Sequence, residues 1–250
     1  MLGIIDHGDI REIRLARPPV NALNPELLGA VRDAVLAAPA DGVRGLILSG
    51  GPKVFSAGLD VPFLVGLDRE ALNAAWGVFF EAAQALAQSP IPVVAAIGGH
   101  SPAGGCVLAL CCDYRVMARG PFRIGLNEVE VGLVVPEGIQ HLMKRLVGPA
   151  RAERLMVAGA MVESEQALAL GMVDQLAEPD EVAQHAREWL EALLAKPSKA
   201  MLATREIARA DLRQALTDPQ RIRLDHFLDA WFEPETQAVL RAVVARLKGG

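Results

Sequence analysis

Pro92-Val93-Val94-Ala95-Ala96-Ile97 is a short, wholly apolar run, and with the three segments after it this run decides the fold. Gly98 to Gly105 is a glycine-bearing loop, Cys106 to Cys112 an apolar segment read as a helix, and Tyr114-Arg115-Val116-Met117 a second strand. A strand without polar alternation has no face to give to water, so it must be covered on both sides. Strand, helix, strand in that register predicts an α/β protein with helices on both faces of its sheet. Working towards the N-terminus, Gly45-Leu46-Ile47-Leu48-Ser49 repeats the apolar strand and ends in Gly50-Gly51-Pro52, and a helix spans Arg69 to Gln88. Asn24-Pro25 opens an earlier helix over Leu27, Leu28, Val31 and Val35, with Asn as N-cap and Pro in the first turn. Ile10 to Leu15 alternates like a half-buried strand. Working towards the C-terminus, the chain turns largely helical beyond Leu142. Helices are expected over Pro149–Ala158, Ser164–Leu170, Glu181–Leu194 and repeatedly between Ser198 and Leu247, with one strand at Met172–Leu176. Lys196-Pro197-Ser198 marks the expected boundary between a core, 1–195, and a C-terminal helical region, 196–250.

The 250 residues are enough for one domain with a large core. That core is aliphatic, because 52% of residues are hydrophobic and only 4% aromatic. A net charge of −5, with no basic run among aromatics, argues against a nucleic-acid partner. No apolar run approaches the roughly 20 residues that span a bilayer. Asp6, Asp9, Arg11 and Glu12 leave no room for a signal peptide or an acid-poor transit peptide, so the cytoplasm is the expected compartment. Cys106, Cys111 and Cys112 lack the spacing of a zinc or redox pair and read as small buried hydrophobes. The five histidines form no HExxH or HxH cluster, and no metal is expected.

Three segments carry the chemistry. Gly99-His100-Ser101-Pro102-Ala103 approaches a GxSxG nucleophile elbow. In that fold the residue after the serine donates its N–H to an oxyanion, and proline has none, so a serine hydrolase is rejected. No GxGxxG or GxxxxGK[ST] nucleotide fingerprint is present. Gly104-Gly105 opens a helix and leaves free N–H groups at its positive end. The turn Phe55-Ser56-Ala57-Gly58-Leu59-Asp60 can aim another N–H. Either turn alone reads more readily as plain structure, since glycines mark turns everywhere. Finally, Gly125-Leu126-Asn127-Glu128-Val129-Glu130-Val131-Gly132 sets Glu128 among aliphatic residues. One base and two backbone donors are the minimum for moving a proton beside a thioester carbonyl. Glu130, two residues on, faces away from Glu128 if the segment is extended.

Taken in order, these strings resemble the crotonase (enoyl-CoA hydratase/isomerase) family over nearly the whole chain. The resemblance includes Arg17-Pro18-Pro19-Val20-Asn21-Ala22-Leu23, the Phe55 to Asp60 turn, Pro102-Ala103-Gly104-Gly105-Cys106, Cys112-Asp113-Tyr114-Arg115 and Ile124 to Glu128. It implies a crotonase-like spiral of ββα units with a C-terminal oligomerisation region, and an acyl-CoA substrate with no separate cofactor. It also implies roles. The N–H groups of Leu59 and Gly104 bind the thioester oxygen, and Glu128 is catalytic. A hydratase's first glutamate falls at Val107, which cannot carry a proton. That loss resembles the isomerase branch, in which one glutamate moves a proton from C2 to C4 of a 3-enoyl-CoA during fatty-acid β-oxidation. A dienoyl-CoA isomerase or a hydratase is the alternative. Ala57, Asp60, Val107, Glu137 and Lys53 complete the expected substrate-binding set. Asp60 orders its turn, Lys53 is a candidate for the CoA phosphates or a solvated lysine, and Glu137 is surface or pocket edge. The stretches Val61 to Leu67 and Trp76 to Phe80 are expected to set acyl-chain preference. The family's symmetry is a trimer or dimer of trimers, and the apolar crowd from Leu224 to Leu247 is expected to lie in that contact, unless the tail folds back on its own core.

Overall fold

The computed structural model describes residues 1–248. Its strands are β1 (Leu2–His7), β2 (Ile10–Leu15), β3 (Gly45–Ser49), β4 (Val93–Ile97), β5 (Ser101–Pro102), β6 (Tyr114–Ala118), β7 (Arg123–Gly125), β8 (Val162–Glu163) and β9 (Gln175–Ala177). The first helices are α1 (Pro25–Ala37), α2 (Val61–Leu64), α3 (Arg69–Gln88), α4 (Gly104–Leu110), α5 (Glu137–Val147), α6 (Pro149–Val157) and α7 (Ser164–Leu170). The remaining helices are α8 (Val182–Leu194), α9 (Ser198–Ala208), α10 (Ala210–Thr217), α11 (Pro219–Ile222), α12 (Leu224–Phe232) and α13 (Pro234–Lys248).

The main sheet has the order β1-β2-β3-β4-β6-β9 and is parallel except for the β1–β2 hairpin. All residues of β3 and β4 are buried, as their uninterrupted apolar sequence requires. Alternate side chains serve two cores. Leu46 and Leu48 pack with α1 and α3, while Ile47 packs with Val182, Ala186, Leu190 and Leu194 along α8. A second, small sheet, β5-β7-β8, stands apart and braces the loops that follow β4 and β6. α1 starts as the sequence dictates, with the Asn24 side chain accepting from the Leu27 N–H at 2.9 Å. α3 has the expected bounds and is capped by Asp68.

Several boundaries differ from expectation, each for a physical reason. α4 begins at Gly104 rather than Cys106, because the glycine pair is itself the first helical turn. The strand expected over Met172–Leu176 is confined to Gln175–Ala177, since Met172 and Val173 are buried in the turn that closes α7. β1 and the small sheet are too short or too mixed to announce themselves.

The tail folds back on its own chain, the alternative the sequence left open. Phe227, Leu228, Trp231 and Leu240 are buried in the same chain, where α10 and α12 lie on α3 and α13 touches α2. Part of the apolar crowd is therefore covered within the chain, at a gain of about 1.5–3 kcal/mol per large side chain, while Phe232 and Leu247 stay exposed. α9 begins at Ser198, with Pro197 at its N-cap. Among the described residues, no helix is long and apolar enough to cross a membrane.

Candidate active site

The turn from Phe55 to Asp60 is held from below by the loop that precedes α1. The Leu23 N–H donates to Gly58 O at 2.8 Å, and the Asp60 N–H donates to Leu23 O at 3.0 Å. Leu23 thus occupies both neighbours of Leu59, and the Leu59 N–H points the other way, as in a parallel bridge. Ser56 Oγ donates to Asn21 O at 2.8 Å and accepts from the Gly58 N–H at 3.1 Å. Arg17 pairs with Asp60 at 2.6 Å, and Asp60 in turn accepts from the Phe63 N–H at the start of α2. Asp60 therefore orders its turn, as expected, and does not line the cavity.

A second turn presses against the first. Gly58 has φ of +81°, and a Cβ there would lie 3.1 Å from Pro102 O and 3.5 Å from Gly104 N. Gly105 is equally confined, since its Cβ would meet Ser56 O at 2.9 Å. Between Pro102 and Gly104 sits Ala103, with φ 44° and ψ −116°, a strained conformation for alanine that costs on the order of 1–3 kcal/mol. Its N–H donates to Gly125 O at 2.8 Å, which locks the strain in place. The result brings Leu59 and Gly104 side by side. Among the described residues, neither N–H has a backbone acceptor, and the Gly104 N–H, first in its helix, has no intrahelical one.

Glu128 completes the site. It opens a single 3₁₀ turn, Glu128–Val131, which ends at Gly132 in the left-handed conformation with φ of +75°. The residue is 9% exposed, and its Oε2 has no hydrogen-bond partner. Burial pushes its pKa up to about 7, against a smaller opposing effect of its own backbone N–H. Both the ionised and the protonated forms of the carboxyl are therefore accessible near neutral pH. A cavity of about 210 Å³ joins Glu128 to Ala57, Leu59 and Gly104. Its apolar wall includes Val61, Trp76 and Phe79 from the stretches expected to set chain preference.

Besides Asp60, three residues of the expected binding set do not reach this cavity. Val107 is fully buried one turn into α4, within the aliphatic core and outside the cavity lining. Glu137 is exposed at the start of α5, 3.6 Å from Arg221, while the preceding Pro136 lines the cavity. Lys53 is exposed on the loop before the first turn and lies outside the lining. Glu130 is exposed, as expected, but for a different reason: the segment is a 3₁₀ turn, and strand alternation does not apply. The three cysteine thiols are buried, which pushes their pKa values up and leaves them unreactive. Sequence reasoning misses the contribution of the tail, which brings Phe227, Trp231 and Val243 to the wall. Trp76 and Phe227 meet with ring centroids 4.0 Å apart.

With this geometry in place, the likeness to known proteins is specific. Residues 6–246 match the family model for enoyl-CoA hydratase/isomerase. The mitochondrial enoyl-CoA delta isomerase 1 of mouse is 34% identical over 239 residues, covering 94% of this chain and 83% of that protein. A probable enoyl-CoA hydratase of Mycobacterium tuberculosis, EchA17, is 35% identical over 195 residues, 76% of this chain and 73% of its own. The crystal structure of human mitochondrial Δ3,Δ2-enoyl-CoA isomerase aligns with a TM-score of 0.93 at 30% identity, covering 99% of this chain and 98% of that one. The chain belongs to the enoyl-CoA hydratase/isomerase family and has the crotonase-like fold.

Proposed function

We propose that this protein is an enoyl-CoA isomerase that moves the double bond of a 3-enoyl-CoA to the 2-position with one carboxylate. The observation that carries this reading is the composition of the cavity: among the described residues, Glu128 is the one carboxylate in its lining, and it shares that lining with Leu59 and Gly104. The thioester oxygen accepts from the two backbone N–H groups, which stabilise the negative charge that develops there. Glu128 in its ionised form takes a proton from C2, giving a dienolate. The protonated carboxyl then returns a proton to C4 on the same face. A pKa of about 7 suits both steps, since the group is a usable base and a usable acid at the same pH.

Hydration asks for a water held between two acid/base groups, and the position that would supply the second is Val107, buried in the core. The likeness to isomerases over nearly the whole chain supports the same choice. Product analysis with a 3-enoyl-CoA and a 2-enoyl-CoA offered in parallel tests it. Interconversion of the two without 3-hydroxyacyl-CoA is the expected result, and hydration of the 2-enoyl-CoA at a comparable rate would overturn it. The assembly we propose remains a trimer or dimer of trimers. Its surface must lie outside the buried tail core, and α9, none of whose residues is buried, is available for it. Light scattering on the full chain decides between that assembly and a monomer.

A further inference from the structure

The two halves of the site are braced differently, and the brace of the base comes from the tail. A four-residue 3₁₀ turn is poorly self-supporting, because little hydrogen bonding offsets the cost of ordering it. The Asn127 side chain offers no cap, and the turn is closed by short-range backbone bonds that include Glu130 N–H to Asn127 O at 3.0 Å and Gly132 N–H to Val129 O and Leu133 N–H to Glu128 O, both 3.1 Å. Outside support comes from two sides. Gly159, just after α6, lies so close that a Cβ there would be 2.9 Å from Val129 Cγ2. On the other side, Thr236 in the first turn of α13 is 4% exposed and donates from Oγ1 to Gly132 O at 3.0 Å. Among the described residues, this is the one side-chain hydrogen bond to the backbone of the turn. The contact is tight as well as polar, for a Cβ on Gly132 would meet Thr236 Oγ1 at 2.9 Å.

We propose that Thr236 is a positioning residue for the proton transfer: its hydroxyl, through Gly132, holds the turn that carries Glu128 and ties that turn to the helix region that walls the cavity. The proposal rests on the reading of Glu128 as the base. It gives the tail a catalytic purpose. Phe227, Trp231 and Val243 meet the cavity while Thr236 meets the catalytic turn, so docking of the tail and placement of the base are one event. Around Glu128, the titratable neighbour is the Cys106 thiol on α4, itself pushed up by burial, while Glu130 on the same turn and Glu235 beside Thr236 are exposed.

Thr236→Val keeps the shape and removes the hydroxyl, and Thr236→Ser keeps the hydroxyl and removes the methyl. Thr236→Val is expected to lower kcat by at least about tenfold with little change in KM, and Thr236→Ser to restore it to within about twofold of wild type. Titration of Glu128 by NMR on protein carrying ¹³C-labelled glutamate reads the same point without substrate. The pKa of about 7 is expected to move down in Thr236→Val, as the loosened turn admits water, and to hold in Thr236→Ser. Thr236→Ala, which removes the hydroxyl with less bulk, is expected to copy Thr236→Val and serves if that variant does not fold. Equal behaviour of the Val and Ser variants, in kcat and in the titration, would overturn the proposal, as would an unchanged Thr236→Ala. A wild-type protein that isomerises no 3-enoyl-CoA would overturn the proposed function instead, while the titration still decides the role of Thr236.

Discussion

The donor half and the base half of this site are built by opposite means. Leu59 and Gly104 offer only their backbones, on two turns pressed together so closely that glycine is required at Gly58 and Gly105. Those turns are anchored to the loop before α1 through Leu23 and to the small sheet through Gly125. Glu128 is a side chain on a short turn, clamped between the end of α6 and the tail. The donor half can be damaged only by forcing backbones apart, whereas the base half can be tuned by a single side chain. Fixed donors suit a charge that always develops at one oxygen, and an adjustable carboxyl suits a group that must both take and give a proton.

Substitutions separate the halves by size of effect. Glu128→Gln keeps the shape and cannot accept a proton, and is expected to lower kcat on the order of 10⁴-fold while acyl-CoA binding stays near wild type. Activity within about tenfold of wild type, a barrier change of only ~1.4 kcal/mol, would break the single-base account. Gly105→Ala strikes the donor half, because its methyl would sit 2.9 Å from Ser56 O and drive the two turns apart. A loss of about 10²–10³ in kcat is expected, the cost of one oxyanion donor. Wild-type turnover by that variant would show that the close approach is not needed.

The pH dependence sharpens the same contrast. Folding raises the Glu128 pKa from 4.5 to about 7, so between those values the folded chain binds more protons than the unfolded one. Stability from this group is fully present below pH 4.5 and is lost as pH rises through about 7, an effect of about 3 kcal/mol at most. Activity runs the other way, rising over the same limb as the base ionises. Glu128→Gln is therefore expected to melt at a higher temperature than wild type at pH 8, with the difference vanishing near pH 4. Calorimetry at the two pH values checks this, and equal melting temperatures at pH 8 would mean that Glu128 is not desolvated. The smallest effect belongs to Glu137→Ala. With its carboxylate exposed outside the cavity, kcat is expected to stay within about twofold of wild type, a change of less than ~0.5 kcal/mol. A collapse matching Glu128→Gln would make this a two-carboxylate isomerase.

Legibility falls with sequence distance. β3 and β4 are readable because a buried parallel strand writes itself as an unbroken apolar run, and α1 and α3 because their caps lie next to their apolar faces. Glu128, Leu59 and Gly104 are readable as three local strings, each shaped by a glycine turn. The wall is readable only where it comes from the core: Trp76 and Phe79 lie in a stretch the sequence marks, while Phe227, Trp231 and Val243 reach the cavity by a fold-back that no local pattern encodes. Val107 misleads for a related reason. Its position in the string is clear, but which side of α4 meets the cavity depends on the strained Ala103 turn that starts the helix. Part of the tail's apolar pattern meets α3 of its own chain, while Phe232 and Leu247 remain exposed.

The central claim is that one carboxyl carries a proton from C2 to C4. A 3-enoyl-CoA bearing deuterium at C2 tests this directly when the product is examined by mass spectrometry and NMR at low conversion. The account predicts that a substantial share of the label reappears at C4, because the protonated Glu128 is buried and exchanges slowly with water on the time scale of the return step. Label found wholly in the solvent, with only hydrogen delivered to C4, would contradict it.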